Sequence, residues 1–72
     1  MTRGHLVKRS LRIAGHRTSV ALEPAFWAVL ERMAAHRRAS LAAMVAEIDA
    51  ARDPRVPLAS ALRLAALAAP GG

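Results

Sequence analysis

"GHRTSVALEPAFW", Gly15 to Trp27, changes its apolar period partway along. Thr18, Val20 and Leu22 alternate with Arg17, Ser19 and Ala21, the two-residue repeat of a strand with one face toward a core. From Phe26 the apolar residues recur every three or four positions, the repeat of an amphipathic helix. Pro24 suits the first turn of that helix, where a missing N–H leaves no bond unmade, and Glu23 suits its positive end. The stretch predicts a short strand joined directly to a helix, with Arg17, Ser19 and Ala21 on the strand's far face.

Downstream, Phe26, Leu30, Met33 and Ala34 mark the buried stripe of a helix running to about His36, widened by Val29 or Trp27. His36, Arg37 and Arg38 place cations at its C-terminal end, where the helix dipole favours them. Ser40 is a good N-cap for a second helix, in which Leu41, Met44, Val45 and Ile48 repeat at helical spacing. Ala43 holds the position where a capping box would carry Glu or Gln. "DPRVP" closes this helix near Ala51 or Arg52. A third helix is expected over 58–69, with Leu58, Ala61, Leu62 and Ala65 on one side and Leu64 and Leu67 on another.

Upstream, "SLRIAG" alternates Leu11 and Ile13 with Arg12. It reads either as its own strand, turned at Gly15-His16, or as a continuous extended run into the next one. Residues 1–10 are polar and basic without a sustained period, and read as a flexible arm. The expected fold class is mainly α with one short β-strand. Its parts are the arm (1–10), a strand–helix–helix unit (11–52) and a C-terminal extension (53–72).

At 72 residues the chain is one small domain. A domain of this size buries only about 60% of its unfolded surface, so it needs help to be stable. No cysteine is present, which removes disulfides and thiolate metal sites and leaves a partner chain as the favoured aid. An apolar fraction of 54% argues for a folded chain. The net charge of +6 implies an anionic partner, and it is unevenly placed. Arg3, Lys8, Arg9, Arg12 and Arg17 share residues 1–22 with no acid, whereas Glu23, Glu31, Glu47, Asp49 and Asp53 all lie beyond. No secretory leader or membrane span is legible, so a cytoplasmic setting is expected.

A lone strand leaves backbone N–H and C=O groups unpaired, which burial would make costly. If the upstream segment does not pair with it, a second copy of the chain must, as a two-fold antiparallel ribbon. Such a ribbon fits the major groove of B-DNA, where base edges differ in donors and acceptors. Arginine suits bidentate contact with guanine, serine donates or accepts, and alanine can touch a thymine methyl. Ser40, opening a helix, offers free N–H groups to a phosphate.

These residues resemble a known family. "KRSLRIAGHRTSVALEPAFWAVLERMAAHRRASLAAMVAEID", Lys8 to Asp49, is similar to the ribbon-helix-helix DNA-binding proteins. It is most similar to a short, largely proteobacterial group with the pattern "GHRTS-x-x-LE-x-x-FW", and "SALRL" at 60–64 matches that group's C-terminal segment. The resemblance implies an intertwined homodimer, or a higher homo-oligomer built on it. It implies base contacts from Arg17, Ser19 and Ala21, and a phosphate clamp from Ser40 with the Leu41 backbone. Arg3, Lys8, Arg9, Arg12 and His16 are the further candidates for the DNA backbone. Two departures stand out. The turn between the helices, "RRAS", lacks the usual glycine, so a residue near Arg38 is expected to take a left-handed conformation. Ala21 leaves only two polar side chains per strand for readout.

Other classes fit less well. His5, His16 and His36 have no metal-ligand spacing, and no metal or cofactor is expected. No serine, histidine and acid form a catalytic constellation, and no small-molecule substrate or catalytic residue is expected. Membrane-surface binding would call for one basic amphipathic helix, but here the cationic and apolar stretches lie at opposite ends of the chain. The rival reading is an interaction or antitoxin-like module using the apolar third helix.

Overall fold

The computed structural model describes residues 5–70. Strands β1 (Val7–Ile13) and β2 (His16–Leu22) precede helices α1 (Pro24–His36), α2 (Leu41–Ala51) and α3 (Leu58–Ala68). Two strands are therefore present where the sequence predicts one, and they pair with each other. The ladder is antiparallel, from Val7 opposite Leu22 to Ile13 opposite His16. Within the chain, β2 pairs with the upstream segment, the hairpin alternative that the sequence leaves open. Val7–Ser10, read from the sequence as the end of a basic arm, form the first half of β1. Residues 1–4 of that arm, Arg3 among them, lie outside the described residues.

The connection is Ala14-Gly15, one residue earlier than the sequence suggests. Both residues have positive φ, 52° and 84°, the signature of a type I′ turn. Its twist matches that of the flanking strands, which is why a two-residue loop suffices. Gly15 tolerates this conformation without strain, whereas Ala14 holds it at some cost.

One face of the hairpin meets the helices. Ile13, Val20 and Leu22 join Trp27, Leu30 and Ala34 of α1, Met44 and Val45 of α2, and Leu62 and Ala66 of α3 in a single core. The buried line of α1 is Trp27–Leu30–Ala34, with Phe26 and Met33 half-buried beside it. That differs in phase from the expected Phe26–Leu30–Met33–Ala34 stripe, and a hydrogen bond explains the turn. The Trp27 indole N–H donates to the Val7 carbonyl at 2.8 Å, so the ring can be buried with its polar atom satisfied. This single bond ties the start of β1 to α1.

The α1–α2 turn follows the expectation closely. The Ala39 N–H donates to the Ala34 carbonyl at 2.9 Å and the Arg38 N–H to the Ala35 carbonyl at 3.1 Å, which together form a Schellman motif. Its left-handed position is Arg38, with φ 54°. A Cβ there costs about 1 kcal/mol relative to glycine. Arg38→Gly is expected to raise stability by about that amount, read as a higher midpoint in urea with an unchanged slope. Ser40 then caps α2, its hydroxyl accepting from the Ala43 N–H at 3.0 Å. With alanine at that third position the cap runs one way only.

Helix α3 packs on its own chain, touching α1, α2 and β2. Arg63 pins it in place, donating to Glu23 at 2.9 Å with its guanidinium 5.8 Å above the Phe26 ring. The same hydrogen bond from Arg63 holds the Glu23 carboxyl below the usual carboxylate range. The loop before α3 is stitched by Arg52, which donates to Asp49 at 2.7 Å and to the Val56 carbonyl at 2.8 Å.

Candidate nucleic-acid interface

The hairpin's second face carries no core residue. Because cross-strand partners share a face, the register puts Lys8 beside Ala21, Ser10 beside Ser19 and Arg12 beside Arg17 on it. Lys8, Ser10, Arg12, Arg17 and Ser19 are exposed, and Ala21 is half-buried. With a two-residue turn, the ladder alternation makes these the non-hydrogen-bonded pairs, whose side chains stand closest together. The Ser10 and Ser19 hydroxyl oxygens lie 3.3 Å apart, and either can donate. Arg12 and Arg17 are like charges set directly opposite each other, an arrangement that weakens a hairpin unless an anion lies between them.

The acids are elsewhere and engaged. Glu31 accepts from Arg9 at 2.6 Å, Glu23 from Arg63, Asp49 from Arg52, Asp53 from Arg55, and Glu47 pairs with Arg37. Each acidic side chain of the sequence thus holds one arginine. Among the described residues, the cations outside such pairs are Lys8, Arg12, Arg17, Arg32 and Arg38. The first three of these stand together on the hairpin's outward face. The excess positive charge is therefore concentrated on one small, flat surface.

The sequence-predicted residues divide accordingly. Arg17, Ser19 and Ala21 share the outward face as expected, and Lys8 and Arg12 join them from β1 rather than from a flexible arm. Ser10, which sequence reasoning passed over, sits at the centre of the same face. Its signal was the i, i+2 spacing with Lys8 and Arg12, legible only once β1 is taken as a strand. Arg9 goes to the opposite face. Its guanidinium lies 4.8 Å above the Trp27 ring and bonds Glu31, so it supports the hairpin from beneath. His16 is exposed beside the turn, opposite Ile13. Ser40 is exposed and Leu41 half-buried, at the start of α2.

No cluster of three or more metal-ligating side chains occurs among the described residues. No helix there is long and apolar enough to cross a membrane. A second surface feature lies between α1 and the end of α3. It is an open groove of about 550 Å³ lined by Val29, Met33, Ala69 and Pro70 together with Arg32, His36 and Arg37. Leu64 and Leu67 of α3 are also 62% and 72% exposed.

Comparison with known proteins adds one finding. No curated protein and no solved structure matches the chain. A family model described as a ribbon-helix-helix domain matches residues 6–69, a span that takes in both strands and all three helices. With that match over nearly its whole length, and a two-stranded ribbon followed by helices in its structure, the chain belongs to the ribbon-helix-helix family.

Proposed function

We propose that this protein is a small bacterial DNA-binding protein, a transcriptional regulator of the cytoplasm that acts as a homodimer and lays its β-ribbon in the DNA major groove. The family membership supports DNA binding by dimers in general. The observation that carries the reading is the outward ribbon face, where Lys8, Arg12 and Arg17 stand without carboxylate partners while every acid is held elsewhere. A two-stranded ribbon fits the groove width of about 12 Å, and guanidinium and hydroxyl groups are the side chains that read base edges there. Arg17, Ser19 and Ala21 contact bases; Lys8, Arg12, His16 and the Ser40–Leu41 N–H groups supply phosphate contacts. Arg9 drops out of that set, because its charge is already met by Glu31.

The dimer accounts for the apolar surface that one chain leaves open. Leu64 and Leu67, and the groove lined by Val29 and Met33, are suited to burial against a second copy. An intertwined arrangement has a further element to use, since β2 pairs on one edge only and its other edge is free for a two-fold mate. The same apolar surface favours the second reading, an antitoxin-like protein whose helices engage a different chain.

The test is a gel-shift titration of duplex DNA over rising salt. The affinity is expected to fall with log salt, with a slope near −0.9 for each phosphate neutralised. Absence of binding at low salt removes the regulator reading and leaves the interaction module.

A further inference from the structure

Beside the buried stripe of α1 runs a second line of residues that the ribbon does not use. Val29, Arg32, Met33 and His36 recur at spacings of three and four, so they share one face of the helix. With Arg37, Ala69 and Pro70 they line the open groove of about 550 Å³ between α1 and the end of α3. Val29 and Met33 are half-buried and pack against the core, whereas Arg32, His36 and Arg37 are exposed. Among the described residues no acid lines this groove. Arg37 pairs with Glu47 of α2, and Arg32 has no carboxylate partner among the described residues. An apolar trough with basic donors along it is thus left without an anion of its own.

We propose that this groove binds a small free carboxylate with an apolar body, its carboxylate held by Arg32 and His36 and its body lying on Val29, Met33 and Ala69. A guanidinium fork meets a carboxylate with two parallel hydrogen bonds, and an imidazole ring nitrogen supplies a further N–H. The unbranched thioether of Met33 moulds itself to irregular apolar shapes. The volume falls within the roughly 300–1,000 Å³ of small-molecule sites. None of these contacts uses an outward side chain of the ribbon, so the site stands apart from the DNA-binding reading.

Size and charge both favour a small anion over a protein segment as the occupant. From Val29 to Arg37 the α1 side of the groove is only about 12 Å long, at ~1.5 Å per residue. A stable protein interface uses about 20–30 residues a side, against the seven that line this groove. A second copy closing over it would strip water from Arg32 without bringing an anion, because each acid of the chain already holds an arginine. A bound carboxylate removes that cost, so ligand and dimer are compatible. Leu64 and Leu67 are not among the residues that line the groove, and they remain open to the mate with the ligand in place.

The experiment is calorimetric titration of the full chain with decanoate, kept below the concentration at which it forms micelles. Decanol carries the same apolar body without the charge, and acetate carries the charge with almost no body. Decanoate is expected to bind saturably, and each of the other two at least roughly ten-fold more weakly, because it lacks either the charged hydrogen bonds or the buried chain. Arg32→Gln is expected to weaken decanoate roughly ten-fold with an unchanged melting temperature, since Arg32 is exposed and holds no acid. Arg32→Lys should restore part of the loss by returning the charge without the fork. Decanol binding as tightly as decanoate overturns the proposal, as does an Arg32→Gln variant that binds decanoate like the parent. So does the absence of saturable decanoate binding, and an acidic amphipathic peptide that binds where decanoate does not would give the groove to a protein instead. A gel shift on the same preparation keeps the two readings distinct: a chain that takes decanoate but no DNA loses the regulator reading and keeps this one.

Discussion

Replacing Lys8, Arg12 and Arg17 together by alanine is expected to abolish specific DNA binding while leaving the protein as stable as before, or more so. Each side chain stands on the exposed face of the hairpin, away from the core, and has no ion-pair partner among the described residues. Their removal therefore breaks no internal contact. It relieves one instead, since Arg12 opposite Arg17 is a like-charge cross-strand pair that costs about 0.2–1 kcal/mol. The binding side moves the other way. A good base contact is worth about 1–3 kcal/mol, so the triple substitution is expected to lower affinity by roughly two to four powers of ten. The salt dependence is also expected to flatten, because fewer counterions are released. Gel-shift titration beside thermal melting measures both quantities on one preparation. A clear fall in melting temperature would show that these cations stabilise the fold, and a triple variant binding as well as the parent would move the interface off the ribbon.

The opposite signs of those two effects also explain what could be read from the sequence and what could not. Helices α1, α2 and α3 were legible because apolar periodicity, Pro24, the Ser40 cap and the proline pair before α3 are local signals. The left-handed residue at Arg38 was legible for the same reason, since a helix end without glycine must place some side chain there. Strand β2 announced itself by strict alternation. Strand β1 did so only in its second half, at Leu11 to Ile13, because "VKRSLRI" has a cation on each face: Lys8 and Arg12 point outward and Arg9 inward. An inward arginine makes a strand look like a solvated arm. It fits only because Trp27 offers a ring at 4.8 Å and Glu31 a carboxylate at 2.6 Å, across separations of 18 and 22 residues that no local pattern reveals. With Val7–Ser10 read as an arm, the sequence left open whether the mate for β2 is the upstream segment or a second chain; within one chain it is the upstream segment. The site was half visible for the same reason, Arg17, Ser19 and Ala21 on β2 but not their partners across the hairpin.

Trp27→Ala is expected to be the most damaging single substitution for the fold, and to destroy the ribbon without touching its outward face. Trp27 is 1% exposed and the largest side chain of the core. Truncating a buried tryptophan costs about 3–5 kcal/mol through lost transfer energy and the cavity left behind. The Val7 carbonyl loses its 2.8 Å donor as well, and Arg9 loses the ring beneath its guanidinium. A domain of this size holds only about 0.05–0.15 kcal/mol per residue, so little stability is left. At about 4–8 °C per kcal/mol, the melting temperature is expected to drop by more than 12 °C. The loss is expected to fall first on β1, since the Trp27–Val7 bond and the Arg9 contacts tie that strand to α1. Hydrogen exchange should show protection vanishing over Val7–Leu11 before it vanishes in α2. Trp27→Phe separates the causes: it keeps most of the volume but not the N–H, and should cost only about 1–2 kcal/mol. In a dimer, the weakened variants should also melt at temperatures that rise visibly with protein concentration. A Trp27→Ala protein that melts within a couple of degrees of the parent, with β1 still protected, would mean that the hairpin stands without its anchor. The outward face would then owe its geometry to the β-turn and the ladder alone.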